Sequence, residues 1–262
     1  VILKQENGIL FFQFPNLAKL TGIRHGIFCR NGGSSRHPYH SLNVGLAVGD
    51  DSGTVKRNLE RIARCIDAKE LVFTRQVHDT TIRVFTNSHS IDAETPSSSL
   101  PVGDGMITDI QGKFLSIKLA DCQSVLMVDP VRKVVANIHS GWRGSIKNII
   151  GKAINKLEEQ FQCRPGDIRA GISPSLGPCC AEFVNYRKEI PKRFWGYKDK
   201  ADRFDFWAIS RDQLCDAGVL SKHIDTSGIC TRCNTDRFFS YRGEGTTGRF
   251  ASVIGLSDVH SV

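Results

Sequence analysis

Ala120-Asp121-Cys122-Gln123-Ser124-Val125-Leu126-Met127-Val128-Asp129-Pro130-Val131-Arg132-Lys133-Val134-Val135-Ala136-Asn137-Ile138-His139-Ser140-Gly141-Trp142-Arg143-Gly144 is the stretch on which the reading of this chain turns. Two runs rich in Val, Ile and Leu flank Asp-Pro-Val-Arg, the pattern of two strands joined by a turn. With residues 129–132 as the turn, Val128 faces Lys133, and Cys122 faces His139 across the ladder. Directly opposed Cβ atoms lie about 4.5–5.5 Å apart. A thiolate and an imidazole so placed can share one metal, since zinc takes sulfur at about 2.3 Å and nitrogen at about 2.0–2.1 Å. A slip of one residue would put the two side chains on opposite faces. The bland alternative makes Cys122 a small core hydrophobe and His139 a satisfied polar residue at a strand end. Asp121 beside the thiol, and the Gly-Trp-Arg-Gly loop after the histidine, are polar and glycine-rich where a core would want apolar bulk.

Beyond that loop, Ile146, Ile149, Ile150, Ala153, Ile154 and Leu157 recur in steps of three and four, which predicts a helix whose first turn lies near Gly144-Ser145-Ile146. A helix N-terminus offers free N–H groups to an anion, and Arg143 adds a fork of donors, so an inorganic phosphate beside the metal is expected. A surface ion pair is the alternative use of Arg143. A second helix is predicted from Val55, Leu59, Ile62, Ala63 and Ile66, after the capping cluster Asp50-Asp51-Ser52. Strands are expected over 8–14, 71–75, 81–86, 113–119, 124–128, 133–138 and 249–256. Helices and strands intermingle, and no linker divides the chain, so one mixed domain is expected over residues 1–262.

Composition fits a folded chain: 262 residues, 40% hydrophobic and 24% charged, with no low-complexity tract. The net charge of +8 favours anionic partners without choosing among them. Nine cysteines, an odd number without framework spacing, point to a reducing compartment. Val1-Ile2-Leu3-Lys4-Gln5-Glu6 reaches charge too soon for a signal peptide, and no apolar run approaches the roughly 20 residues of a membrane span. A cytoplasmic location is expected.

Gln76-Val77-His78, Ala120-Asp121-Cys122 and His139-Ser140-Gly141-Trp142-Arg143-Gly144 together form a pattern that resembles the laccase-domain family, first described as multicopper polyphenol oxidase-like and assigned purine nucleoside phosphorylase activity. The resemblance runs nearly end to end, through His25-Gly26, Asn31-Gly32-Gly33, Ser41-Leu42-Asn43, Gly103-Asp104-Gly105, Gly177-Pro178-Cys179-Cys180, Asp205-Phe206-Trp207 and Arg237-Phe238-Phe239-Ser240-Tyr241-Arg242. It implies an α+β fold, a layered sandwich of mixed β-sheets flanked by helices. It also implies one metal, zinc or alternatively copper, on His78, Cys122 and His139. Three protein ligands leave a position open, as in catalytic zinc sites. The implied reactions are phosphorolysis of adenosine, inosine, guanosine and methylthioadenosine, with adenosine deamination in the same site. Cys122, His139 and Arg143 are then the catalytic candidates, and Asn43, Gln76, Asp121, Arg143 and Arg242 are candidates for substrate contact. The chain departs from the family pattern at Asp79 and Ser140, and Asp79 is a candidate to orient a metal ligand.

Rival readings make different demands. A copper polyphenol oxidase needs many histidines, whereas this chain has 8, of which His37, His40, His89 and His260 sit in polar, turn-like or terminal stretches. A peptidoglycan-precursor editing hydrolase, a role also attached to the resembled family, would use the same cleft, with Cys122 or Cys180 as nucleophile. Nucleic-acid binding rests on net charge alone, without a basic run interleaved with aromatics. Cys230-Thr231-Arg232-Cys233 is a C-x-x-C without a second pair at zinc-finger spacing, and vicinal Cys179-Cys180 reads as a tight turn.

Overall fold

The described strands number twelve, most of them largely buried and the first exposed along its length. In the computed structural model, which describes residues 1–85 and 99–257, they are β1 (Ile2–Glu6), β2 (Ile9–Gln13), β3 (Ile23–Phe28), β4 (Glu70–Val72), β5 (Ile82–Phe85), β6 (Gly105–Thr108), β7 (Lys113–Leu119), β8 (Gln123–Asp129), β9 (Val134–Ser140), β10 (Arg169–Ile172), β11 (Ile224–Thr226) and β12 (Phe250–Leu256). They form two six-stranded sheets, ordered β1-β2-β3-β12-β7-β4 and β11-β10-β8-β9-β6-β5. Both are mixed: β4 runs parallel to β7, β5 to β6 and β10 to β11, while the other pairings are antiparallel. Thr86, the end of one expected strand, lies outside the described residues, as do His89 and His260.

The expected α+β sandwich is the observed architecture, with alternate residues of the central strands serving different cores. Between the sheets, Phe12, Ile27, Leu115 and Ile254 meet Leu126, Val128 and Val135. On the far side of the first sheet, Phe28, Phe114 and Val253 pack on Val55, Leu59 and Ile62 of the Ser52–Cys65 helix. That helix starts as its sequence predicts, with the Asp51 carboxylate accepting the Thr54 N–H at 2.8 Å, a cap worth about 1 kcal/mol. On the far side of the second sheet, Val125, Met127 and Ile138 pack on Ile150, Ile154 and Leu157 of the Ile149–Phe161 helix. Among the described residues no helix is long and apolar enough to cross a membrane.

Two local expectations are corrected. The hairpin pairs Ser124, not Cys122, with His139, and its outermost pair is Asp129 with Val134. Asp129 causes the shift: its Oδ1 accepts the N–H groups of Val131 and Arg132, so it ends the strand and starts the turn, and Lys133 closes the loop at φ 55°. The shift is two residues, which preserves the face, so Cys122 and His139 still project into the space between the sheets. The helix after the Gly-Trp-Arg-Gly loop is also not continuous. A five-residue helix, Trp142–Ile146, ends at Lys147, and Asn148, at φ 55°, caps a separate helix by accepting the Gly151 N–H.

A polar link crosses the core just below the site. The Ser124 hydroxyl meets Asn137 Oδ1 at 2.6 Å and Ser252 Oγ at 2.7 Å, and Asn137 Nδ2 donates to the Leu115 and Ser252 carbonyls. These bonds join β8 and β9 to β7 and β12 at the end of the sandwich where Ala120–Cys122 passes from one sheet to the other.

Candidate functional site

His78, Cys122 and His139 come from the β4–β5 connection, the β7–β8 crossing and the end of β9. Their ligand atoms all lie within 4.8 Å of one another. Cys122 Sγ is 3.8 Å from His78 Nε2, and the imidazoles sit edge to face with centroids 4.9 Å apart. A zinc bonding sulfur at about 2.3 Å and nitrogen at about 2.0–2.1 Å separates such donors by about 3.6 Å in a tetrahedron, so the donor set fits the ion.

One carboxylate organises two of the ligands. Asp104, fully buried at the start of β6, accepts the backbone N–H groups of Val77, His78 and Asp79 at 3.2, 2.9 and 2.9 Å, and its Oδ1 lies 2.8 Å from His139 Nδ1. That contact fixes the His139 ring so that Nε2 faces Cys122. His78 takes φ 61°, an uncommon backbone state for a side-chain-bearing residue, held there by the Asp104 bonds. Asp79 does not do this work: its carboxylate pairs with Lys147 at 2.8 Å on the exposed surface. Gly141 is required by closeness, because a Cβ there would stand 2.9 Å from His78 Cδ2 and 3.2 Å from Cys122 Sγ.

The electrostatics favour a thiolate. Burial pushes the Cys122 thiol up, but the His139 charge and hydrogen bonds from His139 and His78 outweigh it and bring it down to about 6. Burial pushes His139 down, yet the Cys122 charge and the Asp104 bond raise it to about 9. Without an ion the two form a thiolate–imidazolium pair.

Two cavities, of about 320 and 310 Å³, meet at His78, Cys122, Ala120 and Arg249. Both fall within the usual size of small-molecule sites. The first is walled by the rings of Trp142, Phe183, Phe206 and Tyr241. The second is walled by the 45–48 loop together with Arg75, Lys118 and Arg249. Burial lowers the Lys118 ammonium, and Arg249 beside it lowers it further. The Arg249 guanidinium is likewise lowered by burial, which the charges of Cys122 and Asp121 oppose only in part.

The other residues singled out in the sequence are placed variously. Gln76 lines the basic cavity, with its amide locked to the Lys118 backbone: Nε2 donates to the carbonyl and Oε1 accepts the N–H. Asp121 and Arg242 line the aromatic cavity. The Asp121 carboxylate, at a residue with φ 87°, accepts the Thr231 and Ser240 hydroxyls and the Arg242 N–H, and the Arg242 guanidinium donates to the Glu182 carbonyl at 3.0 Å. Asn43 is fully buried and lines neither cavity. Its Oδ1 accepts the N–H groups of Gly45 and Arg249, which ties the 45–48 loop to the Arg249 backbone. Arg143 is exposed, lines neither cavity and lies over the Trp142 ring at 4.3 Å, in a helix of only five residues. The long helix expected beside Arg143 begins instead at Ile149.

Sequence reasoning gave no role to Asp104, Phe183, Lys118 or Arg249. Asp104 carried one usable signal, a lone acid in Gly103-Asp104-Gly105 between two strands; the others reach the cleft through tertiary packing alone.

The model of the family described as multi-copper polyphenol oxidoreductase laccase matches residues 24–257. The purine nucleoside phosphorylase YlmD of Geobacillus stearothermophilus is 34% identical over 247 residues, covering 89% of this chain and 90% of the relative. The crystal structure of YlmD from Geobacillus stearothermophilus superposes with a TM-score of 0.87 at 32% identity, covering 98% of this chain and 99% of that one. The crystal structure titled Bacillus licheniformis hypothetical protein YfiH gives a TM-score of 0.88 at 29% identity, covering 97% and 99%.

Proposed function

Since this chain belongs to the family of laccase-like multi-copper polyphenol oxidoreductase domains, which includes relatives named purine nucleoside phosphorylases, we propose that it is a zinc-dependent purine nucleoside phosphorylase. Its proposed substrates are adenosine, inosine, guanosine and methylthioadenosine, with adenosine deamination in the same site and a cytoplasmic setting. One domain spanning the chain would carry both reactions.

The observation that carries this reading is the two-part cleft: an aromatic cavity and a basic cavity that share His78 and Cys122 as a common border. Rings of Trp142, Phe183 and Tyr241 suit the flat face of a purine. Lys118 and Arg249 hold like charges in a partly dry cavity, a cost that a phosphate dianion would offset. The anion role expected of Arg143 passes in this reading to Arg75, Lys118 and Arg249. Phosphorolysis breaks the C1′–N9 bond, whose electron pair leaves with the purine, and forms a bond from C1′ to a phosphate oxygen. Base and phosphate therefore have to lie on either side of the sugar, as the two cavities lie on either side of the shared border.

His78, Cys122 and His139 would hold the ion, which when bound supplies a Lewis acid at a position left open to ligand and the means to activate water for deamination. Asp104 keeps the His139 ring oriented and the His78 backbone in place. Asp121, with three donors on its carboxylate, holds Thr231, Ser240 and the Arg242 backbone against the aromatic cavity.

The test is incubation of metal-analysed protein with inosine, with and without phosphate, with products separated by chromatography. Hypoxanthine and ribose 1-phosphate formed only with phosphate support the reading. Base release that ignores phosphate contradicts it.

A further inference from the structure

We propose that Cys179, Cys180, Cys230 and Cys233 form a second metal site, a closed tetrathiolate centre that holds a structural zinc and braces the wall of the aromatic cavity. The vicinal pair and the C-x-x-C lie some fifty residues apart in sequence, yet the fold brings all four sulfurs within 4.8 Å of one another. Cys179 Sγ is 3.7 Å and Cys180 Sγ 3.5 Å from Cys233 Sγ. Sulfurs at about 2.3 Å from a tetrahedral zinc are about 3.8 Å apart, whereas a disulfide would need about 2.05 Å. All four thiols are free. The spacing is that of a coordination shell.

The surroundings suit bound thiolates. The Gly177 N–H donates to Cys230 Sγ at 3.3 Å, and Arg203 donates to the Cys179 carbonyl at 3.3 Å, bringing positive charge to a centre whose four thiolates and one divalent ion sum to a double negative. Cys230 is buried while Cys179 and Cys233 are exposed, so the cluster opens to solvent for ion entry. With four protein ligands and no open position, the role is structural.

The centre would tie two segments that shape the cleft. Ser175, Leu176 and Ala181, around the vicinal pair, line the aromatic cavity. Thr231, inside the C-x-x-C, donates to Asp121 beside Cys122.

The inference is independent of the proposed reaction, and its test does not read activity. Reduced protein, stripped by chelator, is loaded anaerobically with zinc and counted for metal, then loaded with cobalt(II) for its visible spectrum. Wild type is expected to bind two ions per chain. Cys122→Ala should keep one, with the strong sulfur-to-cobalt charge-transfer band of four thiolates. Cys180→Ser/Cys233→Ser should lose that band. If this double variant fails to fold, Cys122→Ala decides alone. One ion in wild type with a four-thiolate spectrum would support this site and count against the other. A Cys122→Ala protein that binds no ion, or that binds one without the four-thiolate band, would overturn the proposal.

Discussion

Asp104 Oδ1 lies 2.8 Å from His139 Nδ1, and the same buried carboxylate holds the backbone N–H groups of Val77, His78 and Asp79. Two of three candidate metal ligands, one in the β4–β5 connection and one at the end of β9, thus depend on one side chain that is not among the three. Replacing Asp104 with Asn turns an acceptor into an NH2 group facing those N–H donors. Zinc affinity, measured by competition with a chromophoric chelator, is expected to fall about 10–100-fold. Unchanged affinity would mean that the backbone holds the ligands without it.

Gly141→Ala should act by displacement. A Cβ 2.9 Å from His78 Cδ2 and 3.2 Å from Cys122 Sγ forces one of them aside. Metal at the His78–Cys122–His139 site is expected to drop well below one ion per chain, while denaturant unfolding shows a loss of about 1–3 kcal/mol, the usual range for overpacking. Full metal content in this variant would contradict the close approach.

Stripped of metal, the protein should show an acidic thiol at Cys122. The pair it forms with His139 places its midpoint at about 6, so above that pH the thiolate predominates and alkylates, and below it the rate falls as the thiol is protonated. Cys29, pushed up to about 12 by burial, should stay unmodified. Peptide mapping after pulses of iodoacetamide from pH 5 to 9 gives the profile. A midpoint near the ordinary value of about 8.5 would show that the imidazoles do not stabilise the thiolate.

The two cavities should separate kinetically. Losing a charge-assisted hydrogen bond costs about 1.5–3 kcal/mol, so Lys118→Ala is expected to raise the apparent KM for phosphate at least about tenfold, with a smaller effect on that for inosine. Phe183→Ala should do the reverse, and Arg143→Ala should change neither by more than about twofold. A large phosphate effect from Arg143→Ala would return the anion to the Trp142–Ile146 helix.

The periodic and apolar parts of the fold were legible in the sequence, because burial leaves its mark at every second or third residue. The helix capped by Asp51 and the strand over 113–119 are of this kind. β1 was not, since all five of its residues are exposed and Ile-Leu-Lys-Gln-Glu shows no buried face. The hairpin register lies two residues from the one the strand pattern predicts, because the Asp129 side chain decides where the turn begins. The break at Asn148 was hidden because isoleucines keep their spacing across it. At the site, Cys122 and His139 could be paired from the hairpin, and His78 is supplied by the family resemblance alone. Lys118, Arg249 and Phe183 could not be named, since only the packing of distant segments brings them to the cleft. The cysteines near 180 and 230 gave two weak local patterns whose meaning lies in their meeting.

The most direct test of the account is to follow inosine with metal-analysed wild type and with Cys122→Ala, each with and without phosphate, while a phenol is offered in parallel. The account predicts ribose 1-phosphate from wild type only when phosphate is present, its loss in Cys122→Ala together with one bound ion, and negligible phenol oxidation. Ribose 1-phosphate formed undiminished by Cys122→Ala, or three to four coppers per chain with oxidase turnover far above phosphorolysis, would contradict it.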